Sequence, residues 1–218
     1  MTDDAAAVHV IDDDEAVRHS LAFLFESAGL PVRIYESALA FLATAGELRA
    51  GCILTDVRMP ELDGLGLQQK LHERGVRLPV IVMTGHGDVP IAVQALKAGA
   101  IDFIEKPFDD EALLATVRSA LEASHRIRER EAETADISAR LASLTPRERQ
   151  VLDRLVAGQP NKTIAYDLGA SPRTVEVHRA RVMEKMGARS LSELVRMALS
   201  VEGAAGGSPG ETDTSSSR

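Results

Sequence analysis

The chain has 218 residues, of which 44% are hydrophobic and 27% are charged, with a formal net charge of −8. This composition is typical of a soluble globular protein, and the length allows one large or two small domains. No run of about 18 apolar residues is present, which excludes a membrane-spanning helix. The acidic N-terminus is unlike a signal peptide, and a single cysteine cannot form a disulfide framework. We therefore expect a cytoplasmic protein.

The first 122 residues alternate short apolar strands with helices. The predicted strands are VHVI (8–11), VRIY (32–35), CILT (52–55), PVIVM (79–83) and DFI (102–104). The predicted helices cover about 16–28, 38–48, 65–74, 90–98 and 110–125. Short apolar strands separated by helices indicate a parallel sheet that is covered on both faces. We therefore predict an α/β domain over 1–124, with a doubly wound, five-stranded, flavodoxin-like sheet whose sites lie at the carboxyl ends of its strands.

A charged segment separates this domain from the rest of the chain. In residues 125–140, HRIREREAETADISAR, only Ile127 and Ile137 are large and apolar. Such a composition is typical of a solvated helix or a linker. We interpret residues 125–143 as a helical linker.

Residues 144–202 are predicted to form an all-α domain of four helices, over about 146–157, 161–168, 172–186 and 191–201. Side chains suited to capping their N-termini are Thr145, in a capping box with Glu148, then Asn161, Ser171, and Ser190 or Ser192. The remaining residues, 203–218, are rich in Gly and Ser, which predicts a disordered tail.

Polar side chains follow four of the five predicted strands. They are Asp12, Asp13 and Asp14 after the first strand, Asp56 after the third, Thr84 after the fourth and Lys106 after the fifth. Because these strand ends converge in a doubly wound sheet, we expect the side chains to meet. Clustered carboxylates without His or Cys suit Mg²⁺, and a carboxylate beside that ion can accept a phosphoryl group. Taken singly, each aspartate could instead be a turn or capping residue.

The segments VIDDDEAVR, LTDVRMPELDG and MTGHGDVPIAVQALKAGAIDFIEKPF resemble, in this order, the receiver domain of two-component response regulators, over residues 8–122. The resemblance implies that Asp56 is the phosphoacceptor. It implies the Mg²⁺ ligands Asp12, Asp13, Asp56 and the backbone carbonyl of Arg58, with Asp13 the more direct ligand of the acidic pair. It further implies that Thr84 and Lys106 contact the phosphoryl group and that Phe103 is the aromatic switch residue. Asp14 is interpreted as a helix cap.

The resemblance also implies a switch. A phosphoryl group adds about −1.5 to −2 charges and strong acceptor oxygens, towards which Thr84 would move. Phe103 would then rotate into the vacated space and change the surface formed by residues 85–105. Dimerisation candidates on this surface are Val89, Ile91, Val93 and Leu96. The alternative, that Phe103 is an ordinary core residue, stays open.

The charge distribution suggests different partners for the two halves. Residues 1–125 carry 20 acidic and 10 basic side chains, whereas residues 144–202 carry 7 acidic and 10 basic ones. A mildly basic domain is compatible with nucleic acid. Residues 162–168 and 172–186, joined by a turn at Gly169, have helix-turn-helix proportions. A generic pair of core helices would show the same apolar pattern.

Residues 144–199, from LTPRERQVLDRL to SELVRMAL, resemble the LuxR/NarL-type helix-turn-helix, and the two domains together most resemble the FixJ group of regulators. The resemblance implies that Glu176, Val177 and Ala180 face the bases. It also implies contacts to the DNA backbone by Lys162, Arg173, Thr174, His178 and Arg179. The alternative that His178 is a buried or interhelical residue is equally plausible. In the fourth helix the dimerisation candidates are Leu191, Leu194, Val195 and Met197, with burial against their own domain as the alternative.

These features predict a transcriptional response regulator rather than an enzyme. A sensor histidine kinase would phosphorylate Asp56, and the resulting homodimer would bind double-stranded DNA and activate transcription by RNA polymerase. Self-catalysed dephosphorylation is the one enzymatic reaction expected. In the inactive form, we hypothesise that the receiver covers a surface of the DNA-binding domain.

Three other classes of protein would require different features. A phosphatase with an aspartyl intermediate would need a carboxylate at the position of Arg58. A flavoprotein would need aromatic side chains to stack on a ring, and only 3% of residues are aromatic. A regulator that acts by protein contact without DNA stays open.

Overall fold

Apolar and β-branched runs form five short strands in the N-terminal part of the chain. They are β1 (Ala7–Ile11), β2 (Val32–Tyr35), β3 (Gly51–Asp56), β4 (Val80–Thr84) and β5 (Asp102–Glu105). All neighbouring pairs are parallel, in the order β2-β1-β3-β4-β5. Every residue of β1, β3 and β4 is buried, as expected for strands that are covered on both faces. The predicted five-stranded, doubly wound sheet is confirmed.

Five helices follow these strands: α1 (Glu15–Ser27), α2 (Ala38–Thr44), α3 (Gly64–Glu73), α4 (Val89–Lys97) and α5 (Asp110–Ala142). Alternation along the strands directs side chains into two apolar clusters. One cluster joins Ile53 of β3 to α2, α3 and α4, and the other joins Leu54 to α1 and α5. The sheet thus lies between two helical layers. The helix expected to reach about residue 48 ends earlier, because a 3-10 turn at Ala45–Glu47 follows Thr44.

The structure is a computed structural model that describes residues 6–48, 50–85 and 89–205. The chain divides between residues 129 and 130 into two compact units. The last turns of α5 belong to the second unit, where Ile137 and Leu141 are buried. The partition of the sequence into 1–124, 125–143, 144–202 and 203–218 stays a prediction. Within the described ranges, no helix is long and apolar enough to cross a membrane.

The second unit contains α6 (Pro146–Val156), α7 (Asn161–Asp167), α8 (Pro172–Met186) and α9 (Leu191–Ala205). The Thr145–Glu148 capping box is confirmed, and Ser171 caps α8 through a bond from Thr174 N at 3.1 Å. Of the two serines before α9, Ser190 accepts a bond from Glu193 N at 3.2 Å. Helix α9 runs to Ala205, beyond the expected end, and residues 206–218 of the predicted tail lie outside the described residues.

The prediction that Asn161 caps α7 is wrong. Asn161 is the first residue of the helix, and Pro160 occupies the N-cap position without a side-chain bond. The proline has the extended backbone that an N-cap requires, with φ −72° and ψ 151°, and its ring fixes φ near this value. Backbone geometry therefore starts α7 where a side-chain acceptor was expected to do so.

Candidate functional site

Asp12, Asp56 and Lys106 meet at the carboxyl edge of the sheet. Ile11, the last residue of β1, pairs with Thr55, so Asp12 leaves the sheet beside Asp56. The Nζ atom of Lys106 donates to Asp12 Oδ2 at 2.8 Å and to Asp56 Oδ1 at 2.6 Å. Asp12 and Asp56 are only 2% and 9% exposed. The fold thus brings together a buried carboxylate pair and a lysine that follow three different strands.

Backbone amides hold the remaining oxygens of both carboxylates. Asp14 N donates to Asp12 Oδ1 at 2.9 Å, and Arg58 N donates to Asp56 Oδ2 at 2.7 Å. Each of the four carboxylate oxygens therefore accepts a hydrogen bond. Such bonds fix the orientation of the two groups.

The lysine remains cationic in this setting. Burial lowers the pKa of Lys106, but the hydrogen bonds and negative charges of Asp12 and Asp56 outweigh it and leave the pKa above its usual value. A fixed positive charge at this position can neutralise oxygens of an incoming phosphoryl group.

Thr84 lies at the same edge, and Phe103 lies on the adjoining strand. Thr84 is the last residue of β4, is 2% exposed and follows Met83, which pairs with Asp56. Its carbonyl accepts a bond from Lys106 N at 2.7 Å. Phe103 on β5 is 36% exposed and so lies at the surface rather than in the core.

The other predicted residues of the acidic pocket are more exposed. Asp13 is exposed in the loop after β1, and the side chain of Arg58 is exposed as well. Asp14 caps α1, accepting a bond from Ala16 N at 2.8 Å, in agreement with its interpretation. Across the described ranges, no three His, Cys, Asp or Glu side chains are arranged to hold a metal ion.

Two residues near the pocket were missed by sequence reasoning. Arg18 Nη1 donates to the carbonyl of Asp12 at 2.8 Å, and nothing in the sequence distinguishes this arginine from a solvated one. Gly64 begins α3 against β3, where a Cβ would lie 2.7 Å from the carbonyl oxygen of Asp56. The Asp-Gly pair at 63–64 was the available signal, because Asp63 caps α3 through Gly66 N at 2.7 Å.

Helices α7 and α8 bury one face and expose another. The buried residues Ile164, Val175, Val182 and Met186 belong to the core of the second unit. Six of the residues predicted to contact DNA bases or the DNA backbone are exposed: Lys162, Arg173, Thr174, Glu176, Val177 and Ala180. His178 and Arg179 are half-buried, and His178 Nδ1 is buried without a hydrogen-bond partner. Five of these six residues lie on α8 and Lys162 lies on α7, so both helices present accessible side chains.

The dimerisation candidates differ in exposure. Those at least 37% exposed are Val93, Leu96 and Leu191. Ile91 and Met197 are partly buried against the cores of their own units, and Val195 is intermediate in exposure. Leu194 is 0% exposed, which favours the alternative of burial within its own domain for this residue. The side chain of Val89 lies outside the described residues, and the dimerisation set stays a prediction.

Comparison with known proteins identifies both units. Residues 8–118 match the response regulator receiver domain, and residues 142–198 match the luxR family of bacterial regulatory proteins. The transcriptional regulatory protein FixJ of Azorhizobium caulinodans is 61% identical over 192 residues, which cover 88% of this chain and 91% of that protein. FixJ of Rhizobium meliloti is 54% identical over 88% of this chain and 94% of that protein.

Solved structures give the same result. Full-length FixJ from B. japonicum is 51% identical, with a TM-score of 0.57 over 90% of this chain and 97% of that one. The response regulator StyR is 39% identical, with a TM-score of 0.78 over 89% and 98% of the two chains. The chain therefore belongs to the two-component response regulators of the FixJ type, with a receiver domain and a LuxR-type DNA-binding domain, and is a phosphorylation-dependent transcriptional regulator rather than an enzyme.

Proposed function

We propose that Asp56 accepts the phosphoryl group. The observation that carries this proposal is the bridge from Lys106 Nζ to Asp12 and Asp56 at the edge of the sheet. An oxygen of Asp56 attacks phosphorus, and the bond from phosphorus to a histidine nitrogen of the kinase breaks. That nitrogen keeps the electron pair. Lys106 exchanges its bond to Asp56 for one to a phosphoryl oxygen.

The donor set fits Mg²⁺. Asp12 and Asp56 supply adjoining carboxylates, and oxygen ligands suit this hard cation. We expect Asp12, Asp13, Asp56 and the carbonyl of Arg58 to hold the ion, which when bound neutralises charge on the transferring group. We also expect the chain to catalyse hydrolysis of its own acyl phosphate.

Thr84 and Phe103 would report phosphorylation to the surface. Thr84 is buried beside the acceptor strand, and its hydroxyl can donate to a phosphoryl oxygen. Phe103 pairs with Val82 on the neighbouring strand and is partly exposed, so that inward rotation would bury its ring. The phosphate would shift the populations of the two states rather than create a new one.

The second unit would bind the major groove with α8. Glu176, Val177 and Ala180 face the bases in this arrangement, while Lys162, Arg173, Thr174, His178 and Arg179 contact the backbone. Phosphorylation would favour a homodimer through the α4 and α9 candidates, which pairs two half-sites. The dimer would act in the cytoplasm, where it meets DNA and RNA polymerase, and would activate transcription.

Phosphotransfer from a small phosphodonor, with and without Mg²⁺, tests the acceptor. The wild type should gain the mass of one phosphoryl group only with Mg²⁺, and Asp56→Asn should gain none. Glu26→Gln, which neutralises an exposed carboxylate on α1, is the matched control and should behave as the wild type. Label retained on Asp56→Asn at the wild-type level would refute the assignment.

A further inference from the structure

The C-terminal end of α8 is held by a side chain from α5. Arg140 Nη1 donates to the carbonyl oxygen of Met186, the last residue of α8, at 2.8 Å. Arg140 Nη2 pairs with Asp136 Oδ2, one turn earlier on α5, at 2.7 Å. The last carbonyls of a helix have no intrahelical donor and carry partial negative charge. The guanidinium therefore supplies both the missing donor and a favourable positive charge.

The residue after α8 leaves room for this contact. Gly187 has a left-handed φ of 67°, which favours glycine. A Cβ on Gly187 would lie 2.6 Å from Arg140 Nη1, closer than atoms normally approach. Glycine at this position thus permits both the turn and the approach of Arg140.

A second polar link lies beside the first. Lys185 Nζ donates to Glu148 Oε2 at 2.7 Å and to the carbonyl of Ser143 at 3.2 Å. Glu148 Oε2 also accepts a bond from Thr145 N at 2.8 Å, and the Glu148 side chain is 3% exposed. The last turn of α8 is therefore bonded to the end of α5 and to the start of α6.

Apolar packing supports these bonds. Ile137 and Leu141 of α5 are 5% and 8% exposed and belong to the same core cluster as Val182 and Met186 of α8. Arg140 thus projects from a segment that is packed in place. It lies outside residues 142–198, which match the luxR family.

We propose that Arg140 is a positioning residue for DNA recognition, which fixes the C-terminal end of α8 and so sets the angle at which α8 meets the major groove. The inference rests on the proposed role of α8 as the recognition helix. Contacts to base edges need donors and acceptors placed within a few tenths of an ångström, whereas phosphate contacts tolerate more movement. Loss of Arg140 should therefore reduce sequence discrimination more than general affinity for DNA.

The main test measures DNA binding by the full chain, phosphorylated with a small phosphodonor. The probes are a duplex selected from a random library by the wild type and a scrambled duplex of the same composition. Arg140→Ala should lower the ratio of the two affinities about tenfold, the size expected for a charged hydrogen bond. Arg149→Ala is the matched control, because it removes one cation from an exposed pair with Asp153 in the same unit. It should leave the ratio unchanged.

Salt dependence separates positioning from direct contact. If Arg140 itself bound a phosphate, Arg140→Ala would reduce the slope of log affinity against log salt by about one and leave the ratio unchanged. That result would overturn the proposal. An unchanged slope with a lower ratio supports it, and Arg140→Lys should restore part of the ratio by donating to the same carbonyl.

Two glycines allow a crossed test. Gly187→Ala and Gly158→Ala both place a side chain at a left-handed φ, of 67° and 76°, but a Cβ at Gly158 meets nothing within 4 Å. We expect Gly187→Ala to lower the ratio and Gly158→Ala to leave it unchanged. Combining Gly187→Ala with Arg140→Ala should cost no more discrimination than Arg140→Ala alone, and additive losses would contradict the contact.

Amide hydrogen exchange tests the contact directly, even if Arg140→Ala weakens binding to both DNA duplexes. Amides in the last turn of α8 should exchange faster in Arg140→Ala than in Arg149→Ala, and equal rates would overturn the proposal. Val177→Ala separates the two claims. If it leaves sequence preference unchanged, the recognition role of α8 fails. If it changes preference while Arg140→Ala does not, only the positioning role fails.

Discussion

Replacing His9 by glutamine should remove much of the receiver's sensitivity to mild acid. His9 lies on β1, is 1% exposed and contacts the rings of Tyr35 and Phe41 at centroid distances of 5.8 and 5.5 Å. Its Nδ1 is 3.2 Å from Tyr35 Oη, and its Nε2 is buried. Burial, aided by the positive charge of Arg33, lowers the pKa of His9 from 6.5 to about 4.

The sign of the effect follows from which state binds the proton. Between pH 6.5 and about 4 the unfolded chain protonates His9 while the folded chain does not, so the free energy of unfolding falls as the pH is lowered through this range. The pKa difference corresponds to a decrease of about 3 kcal/mol in the free energy of unfolding, which is complete by about pH 4. Glutamine is neutral throughout and keeps an amide for Tyr35 Oη, so His9→Gln should lose less stability on acidification by about this amount.

Urea unfolding at several pH values, followed by tyrosine fluorescence, provides the assay. The chain has two tyrosines, Tyr35 and Tyr166, and Tyr166 is 88% exposed, so a Tyr166→Phe background leaves Tyr35 as the reporter of the receiver. His72→Gln, at an exposed position on α3, is the control. Equal pH dependence in the wild type and His9→Gln would refute the reasoning, as would an NMR titration of His9 near pH 6.5.

Three further predictions concern the end of β3, the capping box and the core of the second unit. Gly64→Ala should slow phosphotransfer, since its Cβ would lie 2.7 Å from a carbonyl oxygen of β3. Gly46→Ala is the control, because a Cβ at Gly46 would meet nothing within 4 Å. Equal rates of phosphoryl gain in the two variants, measured by mass spectrometry, would contradict this prediction. Glu148→Gln should destabilise the second unit at pH 7, because the Lys185 bond lowers the pKa of Glu148 to about 2. The ionised Glu148 side chain stabilises the fold fully above about pH 4.5, and this contribution is lost as the pH falls through about 2. Parallel acid-unfolding curves for the variant and the wild type would therefore contradict this prediction. Leu152→Ala, at 1% exposure, should lower the free energy of unfolding by about 3 kcal/mol in calorimetry, and a loss below about 1 kcal/mol would show that the core repacks.

The layout of elements was readable because local patterns specify it. Strands such as VHVI are apolar runs bounded by turn residues, and Ser171 followed by Pro172 before an apolar-periodic run is a typical helix start. The prediction of helix ends was wrong where backbone geometry replaced a capping side chain, as at Pro160 before α7. It was also wrong where an α-helix gave way to a 3-10 turn, as at Ala45 after α2.

The sequence by itself also determined which groups meet at one edge of the sheet, since Asp12, Asp56 and Lys106 each follow or end a strand and strand ends share an edge in a parallel sheet. Only the tertiary structure decided how they are joined: Lys106 Nζ bonds both carboxylates. The sequence likewise gave no sign that Arg140 caps α8, 46 residues away. Hydrophobic periodicity records the burial of each residue along its own element, whereas such contacts depend on how distant elements pack, which no local pattern contains.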